Sequence, residues 1–219
     1  MRGFLGLDAQ NLDAGLAKSF GVPNTGGAVI TYVDTSSPAE KAGLKDGDVI
    51  IAINDQEISG ADNYRATVAQ LRPGSVAKLK IIRDRAEKIL PATLGENSNF
   101  KTTPPSSERA APSAPKVDSL DGVSVQDLDR DFRRQLRAPL TVVGAVVTKV
   151  ADDSNSASAG LRLGDVIVEI NQQPVAGAKD AQRLGKSANG EQILIKVWRP
   201  NGDQGSRRYL SVNNTRRAK

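Results

Sequence analysis

The sequence predicts an α+β protein, mostly β, built as two copies of one small, partly open barrel with two helices. Three observations lead there. The block Ala42–Asn54, AGLKDGDVIIAIN, returns as Ala159–Asn171, AGLRLGDVIVEIN, 117 residues later, and the same offset carries Gly27–Val33 onto Gly144–Val150. Within each block a nearly unbroken β-branched run, Val49–Ile53 and Val166–Ile170, reads as a central strand covered on both faces. Between the copies lies a spacer rich in Pro, Ser, Thr and Ala, with few large apolar residues. The expected organisation is a first domain over 1–95, a linker over 96–119, a second domain over 120–213 and a basic tail over 214–219.

In the first copy, Phe4-Leu5-Gly6-Leu7 is a short apolar run. Asn11 is the expected cap of a helix with Leu12, Leu16 and Phe20 on one stripe, stopped by Gly21 and Pro23. Ala28–Val33 forms a strand. Ser37 caps a short helical turn that starts at Pro38 and ends at Gly43, which tolerates a left-handed conformation. After the central strand, Asp55-Gln56 turn the chain and Glu57-Ile58 form a brief edge strand. Ala61–Leu71 is a second helix with Tyr64, Val68 and Leu71 on one face, closed by Pro73-Gly74. Val76–Arg83 and Lys88–Leu94 pair as a hairpin across Asp84–Glu87.

The spacer from Gly95 to Ser119 holds Pro104, Pro105, Pro112 and Pro115 and reads as a partly stiffened linker. A flexible chain of that length spans about 25 to 30 Å. The second copy repeats the order: a strand over Leu120–Val125, then Asp127 capping a helix that bears Leu128, Phe132 and Leu136. A strand over Thr141–Val150, the repeated block, a helix near Ala178–Lys186 and a hairpin of Gln192–Arg199 with Arg207–Val212, turning at Asn201-Gly202, complete it.

Composition removes several functions. The chain has no cysteine, hence no disulfide framework and no thiolate metal site. It has no histidine, which removes the Ser-His-Asp triad and the commonest metal ligand. No stretch approaches the roughly 18 apolar residues of a membrane span. Met1-Arg2-Gly3 runs straight into a strand-like segment, so the chain reads as starting at a boundary, past any targeting segment. The net charge is +5, but the four Phe, three Tyr and one Trp are not interleaved with the basic residues. Arg133, Arg134 and Arg137 fall near a helix end, where cations favour the negative pole. Solvated surface, not nucleic-acid binding, is the expectation.

Arg-Gly-Phe-Leu-Gly-Leu, Gly-Ala-Val-Ile and the Pro-Ala-x-x-Ala-Gly-Leu-x-x-Gly-Asp-Val-Ile-x-x-Ile-Asn signature together resemble the circularly permuted PDZ domains of bacterial HtrA/Deg serine proteases. The resemblance covers all but the linker and tail. It implies a periplasmic substrate- and activator-binding region whose protease domain is not in this chain. The chain itself would then be no enzyme and would use no cofactor. The expected partners are C-termini or extended segments of misfolded proteins, the protease domain of the same protein and further copies in a homo-oligomer; no nucleic acid and no membrane insertion are expected. An alternative is a scaffold whose PDZ domains chiefly control cage assembly.

Such a domain adds an extended peptide as a strand and holds its terminal carboxylate in a nest of backbone N–H groups. By resemblance Gly3, Phe4, Leu5 and Gly6 form the carboxylate-binding loop, Arg2 adds a charge-assisted contact, and Gly6, Leu7, Asp8 and Ala9 offer the edge the peptide joins. Leu5 and Leu7, with Tyr64 and Val68, would line the pocket for the last side chain and favour Val, Leu, Phe or Ala there. Affinity is expected in the micromolar range, about −8 kcal/mol. In the second copy Leu120-Asp121 stand where the first has Phe4-Leu5, and an Asp opposes an incoming anion. That copy is expected to pack against other subunits or the first copy instead.

Overall fold

The computed structural model describes residues 2–96, 118–120, 122–188, 190–201 and 205–214. The chain divides into two compact units, Met1–Thr103 and Pro104–Lys219. Both are mostly β, with short helices and open sheets.

The first unit runs β1 (Gly3–Phe4), β2 (Leu7–Asn11), α1 (Ala14–Phe20), β3 (Ala28–Val33), α2 (Pro38–Lys41), β4 (Val49–Ile53), β5 (Gln56–Glu57), α3 (Ala61–Gln70), β6 (Val76–Arg83), β7 (Ala86–Thr93) and β8 (Gly95–Glu96). Its main sheet has the order β2-β3-β4-β6-β7, with β5 on β4, all antiparallel. The β-branched run of β4 therefore lies at the centre, and β2 is an edge. A separate ribbon pairs β1 with β8. The core gathers Ile30, Ile50, Ile53, Leu79 and Ile81 under α3, all with at most 1% of their surface exposed. Burying each such side chain stabilises the fold by roughly 2 kcal/mol.

The second unit runs β9 (Asp118–Leu120), β10 (Val123–Asp127), α4 (Arg130–Gln135), β11 (Ala145–Val150), α5 (Asn155–Ser158), β12 (Val166–Ile170), β13 (Gln173–Pro174), α6 (Ala178–Ser187), β14 (Gln192–Arg199) and β15 (Ser206–Asn213). Its sheet order is β15-β14-β12-β11-β10-β9, with β13 on β12. A second apolar cluster packs Trp198 and Val166 against Phe132 and Leu136.

The duplication extends to a buried ion pair. Arg83 donates from Nε and Nη2 to Asp48 at 2.6 Å each and from Nη2 to the Gly43 carbonyl. Arg199 does the same with Asp165 and Gly160. Each carboxylate also accepts a backbone N–H, from Lys45 and Arg162 respectively. The pair thus pins the repeated turn to the hairpin that closes each unit.

Several boundaries depart from the sequence reading. Asn11 does not cap α1; Asp13 does, accepting the Leu16 N–H at 2.8 Å. The same shift occurs in the second unit, where Asp129, not Asp127, caps α4. In both, strand pairing runs on through the residue expected as the cap. The turn after β4 falls one residue earlier, on Asn54 and Asp55, with φ of 48° and 66°. The β6–β7 hairpin is tighter than expected, turning on Asp84 and Arg85 at φ of 54° and 63°, which suits a two-residue loop between twisted strands. The strand expected over Leu120–Val125 is broken at Gly122, and the one expected from Thr141 starts at Ala145. At the linker's ends Gly95–Glu96 and Asp118–Leu120 pair as strands. The rest of the linker (97–117), Gly202 of the expected Asn201-Gly202 turn and 215–219 of the tail lie outside the described residues.

Candidate functional site

The bend between β1 and β2 is set by where its carbonyls go. The N–H of Gly3 donates to the Leu71 carbonyl at 3.1 Å. A Cβ on Gly3 would stand 2.5 Å from the Val68 carbonyl oxygen, so only glycine lets β1 lie this close to the end of α3. Leu5 turns its carbonyl inward to accept the Ala39 N–H at 2.8 Å, and Gly6 accepts from Asp34 at 2.9 Å. Gly6 sits at φ 73°, and a Cβ there would come within 2.5 Å of the Ser37 Cβ. With these carbonyls drawn inward, no acceptor is found among the described residues for the N–H groups of Leu5, Gly6 or Leu7. Successive amides without internal partners, in a left-handed bend, form an anion-binding concavity.

The edge of β2 continues from this bend. Gly6 and Asp34 are a bonded pair, so alternation turns the backbone of Leu7 away from β3. A bulge follows between Asp8 and Ala9. Ala9 then stands opposite Ile30, whose N–H goes to the Asp48 carbonyl and whose carbonyl accepts from Gly47. Ala9 therefore also faces outward. Leu7 and Ala9 offer the pattern of donors and acceptors that an added antiparallel strand requires.

Opposite this edge stands α3. Tyr64 and Val68 are 4% and 5% exposed and share one apolar cluster with Leu5, Ala9 and the half-buried Leu7. Burial, chiefly, pushes the Tyr64 phenol above its ordinary range; Asp8 adds to this and Arg65 opposes it. The ring is thus neutral at any physiological pH. Phe4 is half-buried, with its ring over Gly6. Arg2 and Asp8 are exposed. The backbone of residues 3–9 and the α3 side chains thus meet along one groove.

Two residues the sequence reading did not assign to this site span the groove. The Asn11 side chain accepts the Ala61 N–H at 2.7 Å, so β2 caps α3. The Arg65 guanidinium reaches from α3 to the Ala9 carbonyl at 3.0 Å. The signal for the first was Gly60, a helix cap with no side chain of its own to offer. Nothing in the sequence pointed to the second.

The second unit differs at the corresponding positions. Gly122 keeps a left-handed φ of 68° and accepts the Ala151 N–H, as Gly6 accepts that of Asp34. At the offset of the repeat, however, Tyr64 and Val68 become Ala181 and Gly185. The smaller residues let β9 lie along α6, and β9 pairs with β10 through Leu120 with Val123 and Asp118 with Ser124. Leu120 is buried among residues that include Ala181 and Leu184. The start of the edge that is open on β2 is paired here, at Val123 and Ser124, by the chain itself. Asp121 lies outside the described residues.

Comparison with known proteins adds the following. Residues 3–94 match one PDZ domain family model, and residues 146–199 match another. A probable periplasmic serine endoprotease DegP-like of Pseudomonas putida (strain W619) is 36% identical over 199 residues, covering 90% of this chain and 41% of the relative. Its namesake in Chlamydia pneumoniae is 32% identical over 201 residues, covering 90% of this chain and 38% of the relative. The chain thus spans about two fifths of the length of these curated relatives. Among solved structures, an HtrA-type protease, AlgW, with decapeptide is 34% identical over 45% of this chain and 30% of that chain, with a TM-score of 0.42.

Proposed function

Because the chain belongs to the PDZ family, carries two such domains in tandem and resembles DegP-like periplasmic serine endoproteases, we propose that it is the regulatory, peptide-binding part of a periplasmic serine endoprotease. In this reading the first unit receives the C-termini or extended apolar segments of unfolded proteins. The terminal carboxylate sits against the amides of Leu5, Gly6 and Leu7; the ligand's strand adds to β2; its last side chain enters the space bordered by Leu7, Tyr64 and Val68. Arg2, exposed beside the bend, supplies a charge-assisted contact to the carboxylate. Proteolysis belongs to the portion of the relatives that this chain does not span.

The observation that carries the reading is the inward pull on the Leu5 and Gly6 carbonyls, which leaves their amides beside a strand edge that is unpaired among the described residues. Calorimetric titration tests it. Peptides ending in Val, Leu, Phe or Ala should bind with micromolar Kd, about −8 kcal/mol, and the same peptides amidated at the C-terminus should bind at least tenfold more weakly. Equal binding of free and amidated peptides would refute the carboxylate role.

A second reading, control of oligomer assembly, draws support from the second unit. Its strand edge is covered by β9, while Leu140 and Val143 are 86% and 54% exposed. Sedimentation of the chain and of a Leu140→Ser, Val143→Ser variant tests it: the variant should lose self-association, and a wild-type chain that is monomeric at high concentration would count against assembly through this surface.

A further inference from the structure

The duplicated ion pair is flanked by different charges in the two units. In the second, Val197 pairs with Arg208 and Arg199 with Ser206, so Arg199 and Arg208 are diagonal neighbours on one face of the β14–β15 hairpin. Arg162 comes to the same place from the repeated turn: its N–H and Arg199 Nη2 both bond to Asp165 Oδ2, at 2.9 and 2.6 Å. That carboxylate is 1% exposed and committed to Arg199 through both oxygens. Arg199 keeps Nη1 without an acceptor among the described residues, and the Arg162 and Arg208 side chains have none there either. Both of these residues are exposed. Partial burial, chiefly, and then Arg199 and Arg162 push the Arg208 guanidinium below its ordinary range, while Asp165 opposes them.

The first unit keeps the cations but not the imbalance. Lys45, Arg83 and Lys88 hold the corresponding places, the last because Ile81 pairs with Lys88 as Val197 does with Arg208. There Asp46 follows Lys45, and Asp84 acts on Arg83 together with Asp48. At the offset of the repeat, Asp46 becomes Leu163. The acid of the β14–β15 turn, Asp203, lies outside the described residues.

We propose that Arg162, Arg199 and Arg208 form an anion site on the second unit that takes a phosphate group. Three guanidiniums less the Asp165 carboxylate leave two positive charges to be matched. A phosphate group brings roughly 1.5 to 2 negative charges at neutral pH and three acceptor oxygens, where a carboxylate brings a single charge. The planar forks of arginine suit those oxygens better than lysine ammoniums do. The inference stands apart from peptide capture by the first unit, because none of its residues belongs to that groove.

The test uses the full chain, with inorganic phosphate and lipid vesicles as probes. In a phosphate titration followed by nuclear magnetic resonance, the Nε–H signals of Arg162, Arg199 and Arg208 should shift and saturate together. The affinity should fall as sodium chloride rises. Arg162→Gln with Arg208→Gln should weaken phosphate binding by about fivefold or more. Without phosphate this variant should keep the wild-type thermal midpoint, since neither side chain has a partner to lose among the described residues. Arg162→Lys with Arg208→Lys should keep part of the affinity. Lys45→Gln with Lys88→Gln should leave it unchanged, and Asp203→Asn should bind phosphate at least as tightly as the wild type. Phosphatidylglycerol vesicles that retain the wild type but release the glutamine variant identify the phosphate as a lipid headgroup. Phosphate binding without retention on vesicles identifies a soluble phosphate compound. Equal phosphate affinity in the wild type and the glutamine variant overturns the inference, as does tighter binding of a glutamate-rich peptide than of phosphate at these arginines.

Discussion

Asn11 Oδ1 accepts the N–H of Ala61 at 2.7 Å, so the strand forming one wall of the groove caps the helix forming the other. Asp127 and Ala178 repeat the relationship at the same distance in the second unit. The cap, with the Arg65 bond to the Ala9 carbonyl, fixes the spacing between the two walls. Asn11→Ala should cost about 1 kcal/mol of first-unit stability and weaken peptide binding beyond what the unfolded fraction accounts for. Asn11→Asp, which keeps the acceptor, should retain both. Urea titration followed by calorimetry at saturating folded fraction checks the two effects separately.

Gly6 holds φ at 73° with Ser37 directly over its missing Cβ. Gly6→Ala should lower first-unit stability by about 1 to 3 kcal/mol, because both strain and overlap act there. It should also reduce peptide affinity at temperatures where the variant is still folded, since the bend must open to relieve the clash. Thermal unfolding monitored by circular dichroism, paired with a titration well below the midpoint, gives the answer. An affinity equal to wild type would show that the bend is not part of the receptor.

Asp48 is 1% exposed and satisfies two Arg83 nitrogens and the Lys45 amide. Removing it strands a partly buried guanidinium. Asp48→Ala should therefore destabilise the first unit by about 3 kcal/mol, and Asp165→Ala the second by a similar amount. Replacing both members of one pair, as in Asp48→Ala with Arg83→Met, should cost less than the sum of the single changes. Denaturant unfolding of the wild type, the two single variants and the double variant completes that cycle.

The covering of β10 by β9 predicts a contrast in hydrogen exchange. In the wild type the amide of Val123 should be better protected than that of Leu7, which has the corresponding place on an open edge. Leu120→Ala should cost about 2 kcal/mol, the low end for a buried Leu because β9 can fray. It should also raise exchange at Val123 most. Equal protection of the two edges in the wild type would contradict the pairing.

The repeat, the central strands and both hairpins were legible because β-branched runs and turn residues act locally. Ser37-Pro38 at the start of α2 was legible for the same reason: its cap lies three residues away, at Glu40. The misplaced caps at Asn11 and Asp127 failed for a non-local reason. Each polar side chain sits next to a helix in sequence yet caps another roughly 50 residues on, and sequence spacing cannot choose between the two. The glycine bend was readable from Gly3 and Gly6, since close approach and a positive φ both demand glycine. Arg65 was not readable, because an arginine three residues after an aspartate on a helix looks like any solvated pair. The covering of the second groove needed the comparison of copies: Ala181 and Gly185 make room only once β9 is seen to fill it.

The account turns on whether the amides of Leu5, Gly6 and Leu7 hold a free carboxylate. Amide chemical shifts of the full chain, recorded while titrating a peptide with a free apolar C-terminus, test it most directly. These three N–H resonances should move downfield and saturate together with that of Ala9 along β2, and amidating the peptide should abolish the shifts at Leu5 and Gly6. Unmoved resonances at the bend while peptide binds elsewhere on the chain would contradict the account.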